Sequence, residues 1–430
     1  MIHSMGIRKV LSNDSCQAYS VDGVMPSAVL FPETVEEISK ALALADREGF
    51  SCVPYGGGTK MALGNLVRNV DMVIGMSMLN GVIDYQPSDL TVTVQAGATL
   101  DEVQGILKDM DQFIPLETPW PSKATIGGIL ATGYNGPLSL TYGLPRDWII
   151  GVTVVNPDGT VTKSGGRVVK NVTGYDLNKL YTGSLGTLGV IAEATFKLSS
   201  KPANTCTVIA SFSRFHDAMN AMEHLLKDYG GPSAAVVINH ETGLMLGLMS
   251  KGYKIIALYH GSETVLKAKC RSGLLTIRNN RSDRIDYEGS DLVGIWQSLA
   301  DLPWIGNPTP TLSIKFSVLP SRVAMFTREL ESIFIPSFRH GIISDFGNGY
   351  VRSLWWGDKE IEITADVISR VTSKVQEFGA SWIIERCPTT AKALLDVWGQ
   401  QPSSIKLIRD VKAKLDPKRV LNPGRFIGGI

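Results

Sequence analysis

The sequence predicts an α+β protein built from two or three domains. The chain has 430 residues, and one typical domain has ~100–200. Its texture also changes near Lys201-Pro202-Ala203-Asn204, where the glycine-dense segments of 115–200 give way to amphipathic helices that alternate with strands. We therefore predict one domain over residues 1–202 and a second over 203–415, the latter with an antiparallel sheet.

Two helices of the first domain are predicted from their capping residues. Thr34 and Glu37 form a capping-box pattern ahead of an apolar stripe, which predicts a helix over 34–49. Thr99 and Glu102 repeat the pattern and predict a second helix. The predicted strands of this domain lie at 90–96, 149–155, 160–162 and 189–198, and the middle two form a hairpin around Asn156-Pro157-Asp158-Gly159.

The second domain is predicted to alternate helices with strands. The predicted helices lie around 216–229, 321–334, 361–378 and 404–414, and the predicted strands include 234–238, 254–259 and 312–318.

Composition and cysteine usage exclude several classes of protein. A hydrophobic content of 44%, a charged content of 19% and a net charge of +1 are typical of a globular protein and give no field that would steer a polyanion. No signal-peptide core and no run of roughly 18 apolar residues occurs, so we expect a cytoplasmic protein that reaches a membrane only through partners. Five cysteines without a C-x-x-C pair argue against a disulfide framework, a zinc site or an iron–sulfur cluster, and favour small buried side chains (Cys16, Cys52, Cys206, Cys270 and Cys387).

The most informative segment is a glycine loop, Val53-Pro54-Tyr55-Gly56-Gly57-Gly58-Thr59-Lys60, which directly follows a short apolar run. Backbone N–H groups without a neighbouring Cβ can cradle a diphosphate, and the hydroxyl of Thr59 can donate to the same oxygens. The loop does not fit a Walker motif, because Lys60 follows Thr59 instead of preceding it. It does not fit a dinucleotide fingerprint either, because Met61 stands where the third glycine is required. Taken alone, a tight turn and a phosphate cradle are equally good interpretations.

Further glycine-containing segments follow in a fixed order. They include Ala124-Thr125-Ile126-Gly127-Gly128, Tyr142-Gly143-Leu144-Pro145-Arg146-Asp147 and Gly183-Ser184-Leu185-Gly186-Thr187-Leu188-Gly189-Val190-Ile191. Together with the first loop, this series resembles the FAD-binding fold of the vanillyl-alcohol oxidase family, the PCMH-type FAD-linked oxidases. The resemblance covers about residues 22–200 and extends to the C-terminal segment Leu415-Asp416-Pro417-Lys418-Arg419-Val420-Leu421-Asn422-Pro423-Gly424-Arg425-Phe426.

The resemblance implies a PCMH-type FAD-binding domain of two subdomains, an α+β cap domain, and a C-terminal segment, 416–430, that returns to the first domain. It implies that the loop Gly56–Thr59 holds the FAD pyrophosphate. FAD is expected to be noncovalent, because no histidine stands in the glycine loops. Arg146 could balance the diphosphate charge or pair with a carboxylate such as Asp147. The full set of residues expected to bind the cofactor is Tyr55, Gly56, Gly57, Gly58, Thr59, Pro119, Thr125, Gly127, Gly128, Tyr142, Gly143, Arg146, Asp147, Gly189, Ile191 and Asn422.

The sequence departs from the family at a second site. Members that act on 2-hydroxy acids carry a metal site of the form H-G-x-G-D-G-N, whereas His340-Gly341-Ile342-Ile343-Ser344-Asp345-Phe346-Gly347-Asn348-Gly349 offers one histidine and one aspartate. No metal site is therefore predicted. Lys315 and Arg352 are tentative catalytic residues that could stabilise a reduced flavin or hold a substrate carboxylate. The competing interpretation is outward-pointing charge on two strands.

Three functions remain open at this stage. The resemblance favours an FAD-dependent subunit of a glycolate- or D-lactate-oxidising complex. A sister flavoprotein would carry the metal-assisted site and an iron–sulfur subunit would take the electrons. The alternatives are a self-sufficient, metal-independent FAD oxidase or dehydrogenase of an alcohol or hydroxy acid, and a non-redox structural subunit with an inert flavin.

Overall fold

The computed structural model describes residues 6–167, 174–228, 230–290, 292–336, 338–357 and 366–430. The chain divides into two compact units. The first unit comprises Met1–Asn135, Leu144–Lys201 and Leu395–Ile430, and the second comprises Gly136–Gly143 and Pro202–Leu394.

The first unit opens with a four-stranded sheet of order β1-β2-β4-β3. Strands β2 and β3 both run parallel to β4, and helix α1 connects them. The helix begins where predicted, because the hydroxyl of Thr34 accepts a hydrogen bond from the backbone N–H of Glu37, and it ends at Gly49 with a φ of 75°. The glycine loop leaves the end of β3. The elements are β1 (Lys9–Ser12), β2 (Ala28–Phe31), α1 (Val35–Glu48), β3 (Cys52–Tyr55) and β4 (Met72–Gly75).

An antiparallel five-stranded sheet of order β5-β6-β10-β8-β9 forms the rest of the first unit. The predicted hairpin is present as β8 and β9, and helix α2 carries the predicted capping box of Thr99 and Glu102. The strands are β5 (Val82–Gln86), β6 (Thr91–Gln95), β8 (Ile149–Val155), β9 (Val161–Gly165) and β10 (Val190–Lys197), with a short pair β7 (Gln112–Phe113) and β11 (Ser199–Ser200). The helices are α2 (Leu100–Lys108), α3 (Ile126–Thr132), α5 (Pro145–Trp148), α6 (Leu177–Tyr181) and α14 (Ile405–Leu415).

The second unit is built on an antiparallel sheet of eight strands in the order β15-β12-β14-β13-β17-β18-β16-β19. This confirms the α+β class with an antiparallel sheet. The strands are β12 (Asn204–Phe212), β13 (Ala234–Ile238), β14 (Tyr253–Gly261), β15 (Arg284–Gly289), β16 (Leu312–Ser317), β17 (Arg339–Asp345), β18 (Tyr350–Trp356) and β19 (Ser381–Arg386). The helices are α4 (Ser139–Tyr142), α7 (Phe215–Lys227), α8 (His240–Met245), α9 (Glu263–Asn279), α10 (Val293–Ile305), α11 (Val323–Glu331), α12 (Asp366–Phe378) and α13 (Thr389–Lys392).

Most predicted elements of this unit are present. The long helices α9 and α10 and the short helices α4, α8 and α13 were not among the predicted helices. The first residues of the helix predicted over 361–378 lie outside the described residues, and its described part begins at Asp366. Among the described residues, no helix is both long and apolar enough to span a membrane.

Candidate functional site

The glycine loop after β3 lies directly against the segment that starts α3. A Cβ added at Gly56 would collide with the hydroxyl of Thr125, and one added at Gly57 would collide with the carbonyl oxygen of Lys123. Gly58 adopts a φ of 72°, a conformation that L side chains rarely tolerate. Glycine is therefore required at positions 56 and 57 because the loop packs directly against the segment that contains Lys123 and Thr125.

Two adjoining cavities lie where these segments meet, and they share lining residues such as Gly56, Thr125 and Gly128. Several candidate cofactor-binding residues do not line them. Tyr142 and Gly143 belong to the second unit, and Pro119, Arg146 and Asp147 are not part of either lining. The candidate residues that line the cavities are Tyr55, Gly56, Gly57, Gly58, Thr59, Thr125, Gly127, Gly128, Gly189, Ile191 and Asn422.

Gly128 is the glycine whose missing side chain leaves the cavity wall bare. A Cβ added there would meet only the Thr125 hydroxyl oxygen, at 3.1 Å, and no other heavy atom within 4 Å. At the neighbouring Gly127, an added Cβ would instead meet the Cβ of Ala96 at 2.8 Å, so that glycine lets α3 pack on Ala96, which directly follows β6. Bare backbone at Gly128 can thus meet a ligand, as the diphosphate argument requires.

Two buried cations, Lys60 and Arg425, line the cavity that also contains Gly57, Gly58 and Thr59. The sequence analysis placed neither of them in the site. Lys60 donates from Nζ to the Thr118 hydroxyl at 2.8 Å and lies 4.7 Å from the centre of the Tyr134 ring. Arg425 is only 2% exposed. Its Nη2 donates to the carbonyl oxygens of Met61 and Leu63, at 2.8 and 2.7 Å.

The charge of Arg425 is only partly offset by the protein, through the electrostatic effect of Asp22. Its Nε is buried without a hydrogen-bond partner, and burial lowers the pKa of the guanidinium without discharging it. No carboxylate in the described part of the chain forms a salt bridge with it. The motif Asn422-Pro423-Gly424-Arg425 was recognised in the sequence, but a reading of the motif alone gave no reason to separate Arg425 from the many surface arginines.

The C-terminal segment closes the cavity by pairing with β3. Leu421 forms a parallel bridge with Cys52, and the side-chain amide of Asn422 donates to the carbonyl of Leu185 at 2.7 Å. The turn before it is fixed by a buried ion pair, in which Lys412 donates to Asp416 at 2.6 Å. The Asp416 carboxylate also accepts the backbone N–H groups of Val420 and Leu421. Asn422 is thereby held in the cavity wall.

Arg146 and Asp147 have separate environments. Arg146 is exposed, and no salt bridge joins it to Asp147 or to any other described residue. Asp147 accepts the backbone N–H of Leu144 at 2.8 Å and so caps helix α5. In the second unit, the Tyr142 hydroxyl lies 3.2 Å from Nδ1 of His260.

Lys315 and Arg352 lie opposite each other on β16 and β18 and therefore share one face of the sheet. Arg352 is 7% exposed, and its Nε donates to Glu385 at 3.1 Å. Lys315 is half-buried, with Nζ 3.8 Å from the centre of the Tyr350 ring. Burial, together with repulsion from Arg352, lowers the pKa of Lys315 to about 7. The interpretation of Arg352 as an outward-pointing surface charge is wrong, because its side chain is buried. Which side of a strand is buried depends on tertiary packing, and the sequence pattern does not show it.

His340 and Asp345 cannot share a ligand. They stand five residues apart on β17, whose register with β18 is continuous, so their side chains point to opposite faces of the sheet. The His340 ring stacks on Trp355 at 3.8 Å, and its Nε2 lies 2.7 Å from the hydroxyl of Ser353; burial lowers the His340 pKa to about 3. Burial raises the pKa of Asp345 to about 6. Within the described ranges, no group of three histidine, cysteine or acidic side chains is placed to hold a metal ion.

Comparison with known proteins decides the class of the chain. The model of the family "FAD binding domain" matches residues 26–165, and that of "FAD linked oxidases, C-terminal domain" matches residues 398–426. These matches and the relatives below indicate an FAD-linked oxidoreductase. Its cofactor is FAD.

Relatives of this FAD-linked oxidoreductase include three proteins named for 2-hydroxy acids. A glycolate oxidase subunit GlcD of Bacillus subtilis is 26% identical and covers 97% of this chain and 92% of that protein. A D-2-hydroxyglutarate dehydrogenase of Stutzerimonas stutzeri is 25% identical, and the match covers 97% of this chain and 96% of that protein. A mitochondrial D-lactate dehydrogenase of Arabidopsis thaliana is 37% identical over 194 residues, which are 45% of this chain and 34% of that protein.

Solved structures confirm the fold predicted from the glycine segments. p-Cresol methylhydroxylase with substrate bound superimposes with a TM-score of 0.74 at 16% identity, covering 99% of this chain and 95% of that one. Alkyldihydroxyacetonephosphate synthase gives a TM-score of 0.72 at 18% identity, with 93% and 77% covered. The residues around the cavity that Lys60 and Arg425 line suit the diphosphate of FAD, because they offer bare backbone at Gly128 and two buried cations.

Proposed function

We propose that the chain is the FAD-binding subunit of a complex that oxidises a small 2-hydroxy acid, such as glycolate or D-lactate, and passes the electrons to an iron–sulfur partner. The observation that carries the proposal is the cavity of the first unit, which is walled by glycine backbone and contains the buried cations Lys60 and Arg425. The names of the relatives supply the substrate class.

Within the first unit, each residue has a distinct part in holding FAD. When bound, FAD supplies the two-electron acceptor for oxidation of an alcohol carbon. Lys60 and Arg425 offset the diphosphate charge in a site with little water, where such charges interact strongly. Gly128 leaves room for the cofactor chain. Asn422 holds the C-terminal segment across the cavity through its hydrogen bond to Leu185.

Within the second unit, we assign Lys315 and Arg352 to the carboxylate of the substrate. Arg352 donates from Nε and Nη2 to the carboxylate of Glu385, and this ion pair holds the guanidinium in place opposite Lys315. Lys315 has a pKa of about 7, so it can hold or release a proton near neutral pH. The arrangement favours binding of a short anionic substrate over a neutral alcohol.

The complex itself is proposed because of the geometry of His340 and Asp345. Metal-assisted oxidation needs several ligands around one ion, which would lower the pKa of the substrate hydroxyl. His340 and Asp345 point to opposite faces of β17, and His340 is engaged with Ser353 and Trp355. A sister flavoprotein would therefore supply the metal-assisted step.

A second candidate function is a self-sufficient dehydrogenase, which the properties of Lys315 favour. A lysine whose pKa is lowered to about 7 can act as a general base without a metal ion. The names of two relatives that match most of this chain, a D-2-hydroxyglutarate dehydrogenase and a D-lactate dehydrogenase, also support this second candidate.

An anaerobic reduction experiment separates the two. The FAD-loaded chain, alone and in any complex that co-purifies with it, is mixed with glycolate, D-lactate or D-2-hydroxyglutarate, and the visible absorbance of oxidised flavin is followed. Bleaching only in a complex that also contains iron supports the proposal. Bleaching in the isolated chain supports the second candidate. An oxidised flavin in both preparations, with every acid, would contradict both functions.

A further inference from the structure

One edge of the eight-stranded sheet in the second unit is open. Strand β15 pairs with β12 on one side, and no described strand pairs with it on the other. Such an edge presents unpaired N–H and C=O groups on which another extended segment can pair. β15 reads Arg284-Ile285-Asp286-Tyr287-Glu288-Gly289 and has no proline that would block pairing.

Helix α9 packs against β12 and β14, and a groove lies beside it at the end of the sheet. The groove has a volume of about 490 Å³ and is lined by one side of α9, by Cys206 of β12 and by Glu288 of the edge strand β15. Leu274 and Leu275 supply an apolar floor, and Leu275 is 51% exposed. A groove of this size can take side chains from a segment that lies along the edge.

Three cations of α9 line the same groove: Lys267, Arg271 and Arg278. They are four and seven residues apart, so they lie along one side of the helix. Lys267 is paired with Glu263 at 2.6 Å. Arg271 and Arg278 form no side-chain hydrogen bond or salt bridge with any residue that the structure describes. The cations of this groove outnumber its one carboxylate, Glu288, so the groove as a whole is complementary to carboxylates.

We propose that β15 and the basic side of α9 form a docking surface for an extended acidic segment of another protein chain. The segment adds a strand to β15 through main-chain hydrogen bonds, and its alternate side chains enter the groove. Acidic residues meet Arg271 and Arg278, and an apolar residue covers Leu275. This proposal does not depend on the proposed function, because it uses none of the residues assigned to FAD or substrate.

Charge argues against a second copy of this chain as the occupant. A two-fold axis that continued the sheet at β15 would place the α9 helices of both copies side by side. Helix α9 carries Lys267, Lys269, Arg271 and Arg278 against a single acidic residue, Glu263. Two such helices would repel each other, whereas an acidic partner gains from the same charges.

The test uses a fluorescent peptide of about eight residues, a length typical of a strand, in which one strand face carries both glutamate and valine and the other face carries threonine. Its binding to the FAD-loaded full-length chain is followed by fluorescence anisotropy. The same peptide with lysine in place of glutamate tests charge, and a version with proline at alternate positions tests main-chain pairing. The double variant Arg271→Glu/Arg278→Glu should weaken binding about ten-fold, while Arg328→Glu/Lys406→Glu, which reverses exposed charges elsewhere, should leave it unchanged.

Binding of the acidic peptide that is lost with the proline peptide and in the Arg271/Arg278 variant supports the proposal. Equal binding of the proline peptide would overturn strand addition, and equal binding by the two double variants would overturn the assignment of the surface. No binding of any peptide, or a concentration-dependent dimer that Arg271→Glu/Arg278→Glu strengthens, would also overturn it. Circular dichroism and FAD content check that each variant remains folded.

Discussion

Replacing Gly128 with alanine separates the role of this glycine in FAD binding from its role in folding. Gly128 lies inside α3, where alanine favours the helix over glycine by about 1 kcal/mol. The added Cβ would lie 3.1 Å from the Thr125 hydroxyl, so this hydroxyl, which accepts the backbone N–H of Gly128, must shift by a few tenths of an ångström. The same methyl group projects into the cavity. Overpacking typically costs about 1–3 kcal/mol, which corresponds to a weakening of FAD binding of roughly 5- to 150-fold.

The measurement is a titration of deflavinated protein with FAD, followed by quenching of flavin fluorescence, together with thermal unfolding of the apoprotein. Gly105→Ala is the matched control, because Gly105 lies in helix α2 and an added Cβ meets no heavy atom within 4 Å. Gly105→Ala should be as stable as the parent or slightly more stable, Gly128→Ala should remain folded, and only Gly128→Ala should lose affinity. If Gly128→Ala binds FAD as tightly as Gly105→Ala, the cofactor does not pass this wall of the cavity.

Three further predictions concern buried charge. Asp416→Ala removes the carboxylate that pairs with the buried Lys412, and should lower the free energy of unfolding in urea by about 3–5 kcal/mol. The control Asp46→Ala breaks an exposed ion pair and should lower it by less than about 1 kcal/mol; similar losses in the two variants would contradict the role of the buried pair. Asp345 has a pKa raised to about 6, so the folded chain keeps a proton that the unfolded chain releases, and stability falls as pH rises from about 4 to about 6. Asp345→Asn removes this penalty, and its unfolding free energy relative to the parent should rise by about 3 kcal/mol from pH 4 to pH 8; a flat difference would refute the shift. Lys315 has a pKa lowered to about 7, so its unfavourable contribution is complete below pH 7 and disappears as pH rises towards its ordinary value; Lys315→Met should therefore stabilise the chain more at pH 6 than at pH 10, and the opposite order would refute the burial of the charge.

Local signals in the sequence predicted the first unit well. The caps at Thr34 and Thr99 fix the starts of α1 and α2 because the hydrogen bonds involved span only three residues. The hairpin around Asn156-Pro157-Asp158-Gly159 is equally local. Helix α10 was missed for the opposite reason. It is apolar around most of its circumference, so its sequence shows no amphipathic periodicity. It also contains Pro303, a residue that usually ends a helix.

The candidate site was predictable as a set of glycine segments but not in its details. Gly56 and Gly57 are required by contacts with Thr125 and Lys123, far away along the chain, and no local pattern contains that information. The same limit applies to Arg425. Its burial and its unpaired Nε depend on how the C-terminal segment packs against the loop at Met61–Leu63, which is a property of the tertiary structure.

The most direct test of the account is hydrogen exchange of the backbone amides, measured on the apoprotein and again with bound FAD. We expect FAD binding to slow the exchange of backbone amides in the loop 56–60, in the segment 124–128 and in residues 422–425. Exchange in α9 of the second unit should change little. Exchange rates in those three segments that stay the same while FAD is bound would show that the cofactor lies elsewhere.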